Sequence, residues 1–177
     1  MDLTERKRSS RLLYEGRIIR LRLDEVTLPD GTAARREVVE HPGGVCILAL
    51  DGQGRAAVVR QYRYVFGRVM TELPAGKREP GETPLTTARR ELREEVGAQA
   101  ASWTDLGALI PSPGCYGETL YLFLARDLTL LPPRPDDGEF LEAEWVPLEE
   151  LAEACLSGDL QDAKTVAAVL KARLLGL

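Results

Sequence analysis

One histidine, His41, and three cysteines, Cys46, Cys115 and Cys155, are all the imidazole and thiol chemistry in this chain. The cysteines are odd in number, widely spaced and form no CxxC pair, which argues against a zinc site and for reduced thiols in a cytoplasmic protein. No apolar run approaches the ~20 residues a membrane helix needs. The opening "MDLTERKRSS" lacks the apolar centre of a secretory signal, so neither a membrane partner nor export is expected. An excess of positive charge is missing too: 23 Lys and Arg stand against 28 Asp and Glu, a net charge of −5. A nucleic-acid partner, gripped through its phosphates, is therefore not expected. A small anionic ligand stays open, because metal ions and a few local arginines can reverse the sign inside a site.

The 177 residues suffice for one domain with a small appendage. Residues 1–10 are polar and expected to be loose. From 11 to 41 the pattern alternates, with Ile19, Leu21 and Leu23 against Arg20, Arg22 and Asp24, and "PDG" at 29–31 turns it. This predicts an antiparallel meander. "VCILAL" (45–50) reads as a buried strand, and "RAAVVRQYRY" (55–64) as its partner across the turn "DGQG". Pro84 near a first turn, the i, i+4, i+8 spacing of Ala88, Leu92 and Val96, and the stop at Gly97 predict a helix over 83–96. "LYLFLA" (120–125) and "EAEWV" read as strands, and "PLEELAEACLSG" and "DAKTVAAVLKARLL" as helices. Mixed elements without strict βαβ alternation favour an α+β fold with a mixed sheet.

Glu91, Glu94 and Glu95 would fall at i, i+3 and i+4, on one face of the predicted helix. Like charges so placed repel unless something cationic sits among them. Arg90 can reach Glu94 one turn on, or Glu82 behind it. A hard divalent cation can neutralise the rest, since Mg²⁺ takes oxygen ligands and keeps positions for phosphate. A solvated, salt-bridged helix face is the bland alternative.

The wider spacing bears on that choice. Gly76, five residues, Glu82, seven residues, then "RELREEVG" from Arg90 to Gly97 reproduces the signature of the Nudix hydrolases over 23 residues. Ala98, where that family carries a larger aliphatic residue, is the one departure. The resemblance implies a loop–helix–loop in an αβα sandwich that cleaves a nucleoside diphosphate linked to another group. It implies Mg²⁺ or Mn²⁺, two or more ions per site. By motif position Glu91 and Glu95 resemble the main metal ligands, with Glu94 next and the carbonyl of Ala75 as a further ligand. Gly76, Glu82, Arg90 and Gly97 resemble the residues that shape the motif.

"VVRQYRY…TELPAGKREPGE" and "SPG" at 112–114 resemble the ADP-ribose pyrophosphatase branch, in which a proline lies sixteen residues past the last motif glycine, here Pro113 after Gly97. That branch carries an N-terminal antiparallel sheet that builds a homodimer. The resemblance thus divides the chain into a dimerising sheet (1–42) and a hydrolase domain (43–177). It makes Arg63 a phosphate contact, Arg35 or Arg36 another, and Pro113 and Gly114 substrate neighbours; a guanidinium suits a diphosphate. Tyr14, Tyr62 and Tyr64 are candidates for stacking adenine. In the acidic loop "DDGEFLEAEW", Glu139 resembles the general base, with Glu142 second and Glu94 as the fallback on the helix. The expected reaction is hydrolysis of ADP-ribose to AMP and ribose 5-phosphate. The alternatives are another nucleoside diphosphate sugar such as GDP-mannose, a related dinucleotide or triphosphate, and a nucleotide-binding module without catalysis.

Overall fold

The structure is a computed structural model that describes residues 1–134, 138 and 140–177. The chain divides into two compact units, 1–43 with 110–119, and 44–109 with 120–177.

The first unit is built on three antiparallel strands in the order β1 (Arg6–Glu15), β2 (Arg20–Thr27) and β3 (Ala33–Glu40). The turn between β2 and β3 needs its glycine: Gly31 sits at φ +86°, a conformation that costs other residues a Cβ clash. The expectation that residues 1–10 are loose is corrected here. Residues 6–10 are strand, their polar side chains pairing across to β2, as Ser9 does with Glu25 and Ser10 with Asp24. Polarity here marks a sheet edge with solvent on its sides, and all ten β1 residues are exposed.

The second unit holds two sheets. A mixed sheet runs β7 (Ala75–Lys77), β4 (Gly44–Ala49), β9 (Leu120–Leu130) and β8 (Ala98–Leu109); β4 and β9 are parallel, the other pairs antiparallel. An antiparallel sheet runs β10 (Leu141–Pro147), β5 (Arg55–Arg63) and β6 (Arg68–Glu72). The expected pairing of 45–50 with 55–64 is therefore corrected: after a single bridge, Leu50 to Ala56, β5 leaves β4 and pairs with β10 and β6. β8, with its mixed small and polar residues, is an additional strand.

Every residue of β4 is buried, which is why it reads as an unbroken apolar run. Its alternation feeds two cores. Cys46 and Leu48 join Val169 and Leu151 of the helices α2 (Leu148–Ser157) and α3 (Ala163–Leu174). Val45 and Ile47 join Ala88 and Leu92 from the 84–96 segment on the other side. The result is a helix–sheet–helix sandwich. Burial pushes the Cys46 thiol up to about 12, so it serves as an inert apolar filler.

At the start of α3, Asp162 caps the helix by accepting from the Thr165 amide (3.1 Å). Thr165 Oγ1 in turn accepts from the buried Leu73 amide (2.8 Å). Leaving that amide without a partner would cost about 1–3 kcal/mol, so α3 fixes the β6–β7 connection that leads into Ala75. Among the described residues no helix is long and apolar enough to cross a membrane.

Candidate active site

The helix α1 (Pro84–Glu91) begins as the sequence predicts. Thr83 Oγ1 accepts from the Thr86 amide (3.2 Å) and Pro84 opens the first turn. Leu92–Val96 continues as one π-helical turn. Gly97 ends it at φ +69°, where an added Cβ would lie 2.2 Å from the Leu131 carbonyl oxygen, so a side chain is excluded by both torsion and space.

Three of the four clustered glutamates converge on one side chain. Arg90 donates to both oxygens of Glu82 (3.0 and 3.1 Å) and, through Nη1, to Glu91 (2.7 Å) and Glu94 (2.9 Å). Its Nη2 also donates to the Lys77 carbonyl (3.1 Å). Hydrogen bonding to Glu82 first, then the Glu91 charge, raises the Arg90 pKa well above its ordinary value despite partial burial. Glu82 accepts further bonds from the Glu79 amide (3.1 Å) and Thr87 Oγ1 (2.9 Å). The Arg90 hydrogen bonds, with these, hold the Glu82 carboxyl at about 2.

Glu91 and Glu95 close on the backbone of β7. Glu95 Oε2 accepts from the Ala75 amide (3.0 Å). The Glu91 carboxylate rests against Gly76 so closely that an added Cβ would lie 1.8 Å from its Oε1. Both glutamates are buried, at 8% and 5% exposure. The two carboxylates, set against the Ala75–Gly76 backbone, thus present oxygen donors, with Glu94 half-buried beside them. That donor set fits a hard divalent cation that keeps part of its water shell. Among the described residues no three acidic, histidine or cysteine side chains already stand gathered as a closed cage.

Arg63, expected at the substrate, is held at the far end of β5 by Glu72 of β6. Its Nε and Nη2 donate to the two Glu72 oxygens at 2.6 and 2.7 Å. Lys164 of α3 adds a third donor at 2.5 Å and pairs with Asp162 at 2.9 Å. Burial by itself would raise the Glu72 carboxyl. The Arg63 hydrogen bond and the charge and hydrogen bond of Lys164 outweigh it and hold Glu72 at about 2. Neither Glu72 nor Lys164 was signalled as a site residue by the motif, although Glu72 stands in the quoted "TELPAG".

Arg35, Arg36 and Gly114 line one cleft of about 500 Å³ in the first unit, with Leu23, Glu37 and Cys115. Arg36 is engaged there by a bidentate pair with Glu5 (3.0 and 2.6 Å). Pro113 is exposed beside Gly114. Tyr14, Tyr62 and Tyr64 are all exposed, at 56%, 57% and 88%. Glu142 lies on β10, exposed, opposite Arg60 at 3.4 Å. Glu139 lies outside the described residues.

The low value of Glu82 carries a sign. A carboxyl whose folded pKa is depressed adds stability above its unfolded value, near 4.5, and that stability is lost as pH falls toward about 2. Urea midpoints measured from pH 5 to pH 2 should fall steeply for the wild type. Glu82→Gln should start lower and fall less over the same window; an equally steep fall would mean other groups carry the acid sensitivity.

Comparison with known proteins agrees with this geometry. The profile described as NUDIX domain matches residues 40–169, and one described as nucleoside diphosphate sugar hydrolase N-terminal domain matches residues 5–45. The chain is 39% identical over 170 residues to the ADP-ribose pyrophosphatase of Bacillus subtilis, covering 95% of this chain and 92% of that one. It is 41% identical over 165 residues to the ADP-ribose pyrophosphatase of Mycobacterium tuberculosis, covering 92% and 80%. A crystal structure of an ADP compounds hydrolase superposes with a TM-score of 0.86 over 99% of this chain and 96% of that one; at 22% identity it attests the fold. With the motif's charges folded onto β7 and its profile running through most of the sequence, the chain belongs to the Nudix family.

Proposed function

We propose that this protein hydrolyses the diphosphate of ADP-ribose to AMP and ribose 5-phosphate. The observation that carries the reading is the closure of Glu91 and Glu95 on the Ala75–Gly76 backbone, in a chain so similar to two ADP-ribose pyrophosphatases. Nudix hydrolases work with divalent metal ions. Glu91, Glu95 and the Ala75 carbonyl would hold Mg²⁺ or Mn²⁺, two or more ions, with Glu94 the next ligand. Such ions, when bound, offset charge on the bridging phosphates and lower the pKa of a water. Glu82 and Arg90 keep the loop and helix in one piece. Arg63, with two donors fixed by Glu72, would meet a phosphate through its Nη1 side. Arg35 is the better placed of the two β3 arginines, because Arg36 is already engaged by Glu5. A purified sample with Mg²⁺ should release AMP from ADP-ribose. Turnover of GDP-mannose with none of ADP-ribose would instead favour a different nucleoside diphosphate sugar, the second reading, which the N-terminal profile supports.

Glu139 is the proposed general base and Glu142 the alternative. A base must reach the attacking water and must not be committed to the cations. Glu91 and Glu95 face β7, whereas Glu139 stands outside the metal-binding motif, at the end of the stretch "LPPRPDDGE". Glu139→Gln should lose about 10²–10⁴-fold in kcat with KM little changed, whereas Glu91→Gln and Glu95→Gln should also weaken Mg²⁺ binding. Loss of kcat in Glu142→Gln with a normal Glu139→Gln would exchange the two roles, and loss in neither would return the base to Glu94.

The protein is further proposed to be a cytoplasmic homodimer joined through residues 11–41. β1 is an edge strand exposed at all ten positions, including Leu12, Leu13 and Tyr14, and an open apolar edge invites a partner strand or sheet. Sedimentation at micromolar concentration should give the dimer mass. An active monomer would remove this assignment.

A further inference from the structure

We propose that His41 is a positioning residue for the substrate cleft, acting through Glu118 on the Ile110–Thr119 segment. The inference deepens the functional reading, since it takes Arg35 and Gly114 to be substrate contacts. The cleft has two walls. One is β3, which supplies Arg35, Arg36 and Glu37; the other is the turn at Gly114 and Cys115. The second wall has no regular structure of its own: Ser112 to Gly117 is an exposed turn apart from Tyr116. What keeps it opposite β3 is a short set of ties at the end of that strand.

Val39 makes two of them. Its amide donates to the Cys115 carbonyl and its carbonyl accepts from the Gly117 amide, both at 2.8 Å. The third tie is the chain's one imidazole. His41 lies just past β3 with its side chain 8% exposed, packs on the Tyr116 ring at 5.4 Å, and sets Nδ1 3.1 Å from Glu118 Oε1. The Gly43 amide also points at the same Nδ1, at 3.1 Å. The two partners want opposite things of that nitrogen: the amide needs its lone pair and the carboxylate needs its proton. Gly43, at φ +82°, completes the contact, because an added Cβ there would lie 2.8 Å from the Thr119 carbonyl oxygen.

The buried imidazole thus adds contacts with a carboxylate, an aromatic ring and a backbone amide to Val39's two bonds. Its consequence is that Glu118 and Tyr116, which flank Gly117, are held on the β3 side. The Gly114–Cys115 wall then keeps its distance from Arg35. Because neither His41 nor Glu118 lines the cleft, their effect on substrate is indirect, through the shape of the wall. That predicts a change in substrate binding and little change in the chemical step.

The test pairs a structural and a kinetic measurement on the full chain. In His41→Ala, amide exchange at Val39 and Gly117 should accelerate about tenfold, the scale of one lost hydrogen bond at Nδ1. KM for ADP-ribose should rise by about the same factor with kcat held within about twofold. His41→Asn, whose carboxamide offers both a donor and an acceptor near the Nδ1 position, should restore both measurements. Glu118→Ala should behave as His41→Ala does, and serves in its place if that variant does not fold. Unchanged exchange at both amides would overturn the proposal, and so would faster exchange with an unchanged KM. If the wild type does not hydrolyse ADP-ribose, the functional reading fails by itself. The exchange measurement still decides the tie, and the kinetic one is run on the nucleoside diphosphate sugar that is turned over.

Discussion

Arg90 is the point on which the site depends. Glu82, Glu91 and Glu94 would repel one another, and Glu91 is nearly out of water. A planar guanidinium can serve three carboxylates and a carbonyl at once because its donors point in fixed, separate directions. A lysine ammonium, with a single charge centre on a flexible stem, could not meet Glu82 through two parallel bonds while also reaching Glu91 and Glu94. Those bonds join the loop before α1 to the helix itself. The same side chain thereby sets where the Glu91 carboxylate lies relative to Gly76. A cation arriving at Glu91 would share that carboxylate with Arg90. The site is therefore only partly compensated before any metal enters: one guanidinium stands among three carboxylates, and the charge left over is what a divalent cation would offset.

Steric emptiness is the complement of that charge network. Gly76 works because it has no side chain: the space that a Cβ would fill is occupied by the Glu91 carboxylate. The backbone it belongs to is held by β4, through the pairs Val45 with Gly76 and Cys46 with Ala75. β4 is buried on both faces, so its position is specified by two cores rather than one. Precision at the candidate metal surface thus descends from the most ordinary part of the chain, a run of valine, cysteine, isoleucine and leucine.

How much of this could be read beforehand follows from what kind of signal each feature leaves. The Arg90–Gly97 run was legible because local helical geometry turns spacing into proximity, and Gly76 and Glu82, on β7 and in the loop before α1, were legible through the fixed spacing of the motif. The β4 run and the Gly31 turn were legible for similar local reasons. The start of β1 was not, since Arg6 to Ser10 look like a loose end unless their partners on β2 are known. The pairing of β5 was misread because two apolar runs around "DGQG" carry the hairpin signal, and nothing local says that the second will cross to β10 and β6. The burial of Glu91 and Glu95 was also hidden, because a glutamate reads as surface until its compensating partners are in place. Glu72 was hidden for a different reason. Its role comes from the register of the β5–β6 pair and from Lys164, ninety-two positions away, and no spacing rule spans that distance.

The Glu72 network also bears on the proposed contact between Arg63 and a diphosphate. Arg63 and Lys164 are cations on the same carboxylate, which is itself held ionised down to about pH 2. Two carboxylates, Glu72 and Asp162, face these two cations, so the four charges balance. Asp162 pairs directly with Lys164 and reaches Arg63 only through its charge, so the guanidinium is the less closely paired of the two cations. The Glu95 charge acts on that same guanidinium, which links the network to the carboxylates on β7. Anchoring Arg63 in this way removes the entropy that a free arginine would lose on meeting a phosphate. It also directs the remaining edge of the guanidinium, the edge that the proposed phosphate contact would use.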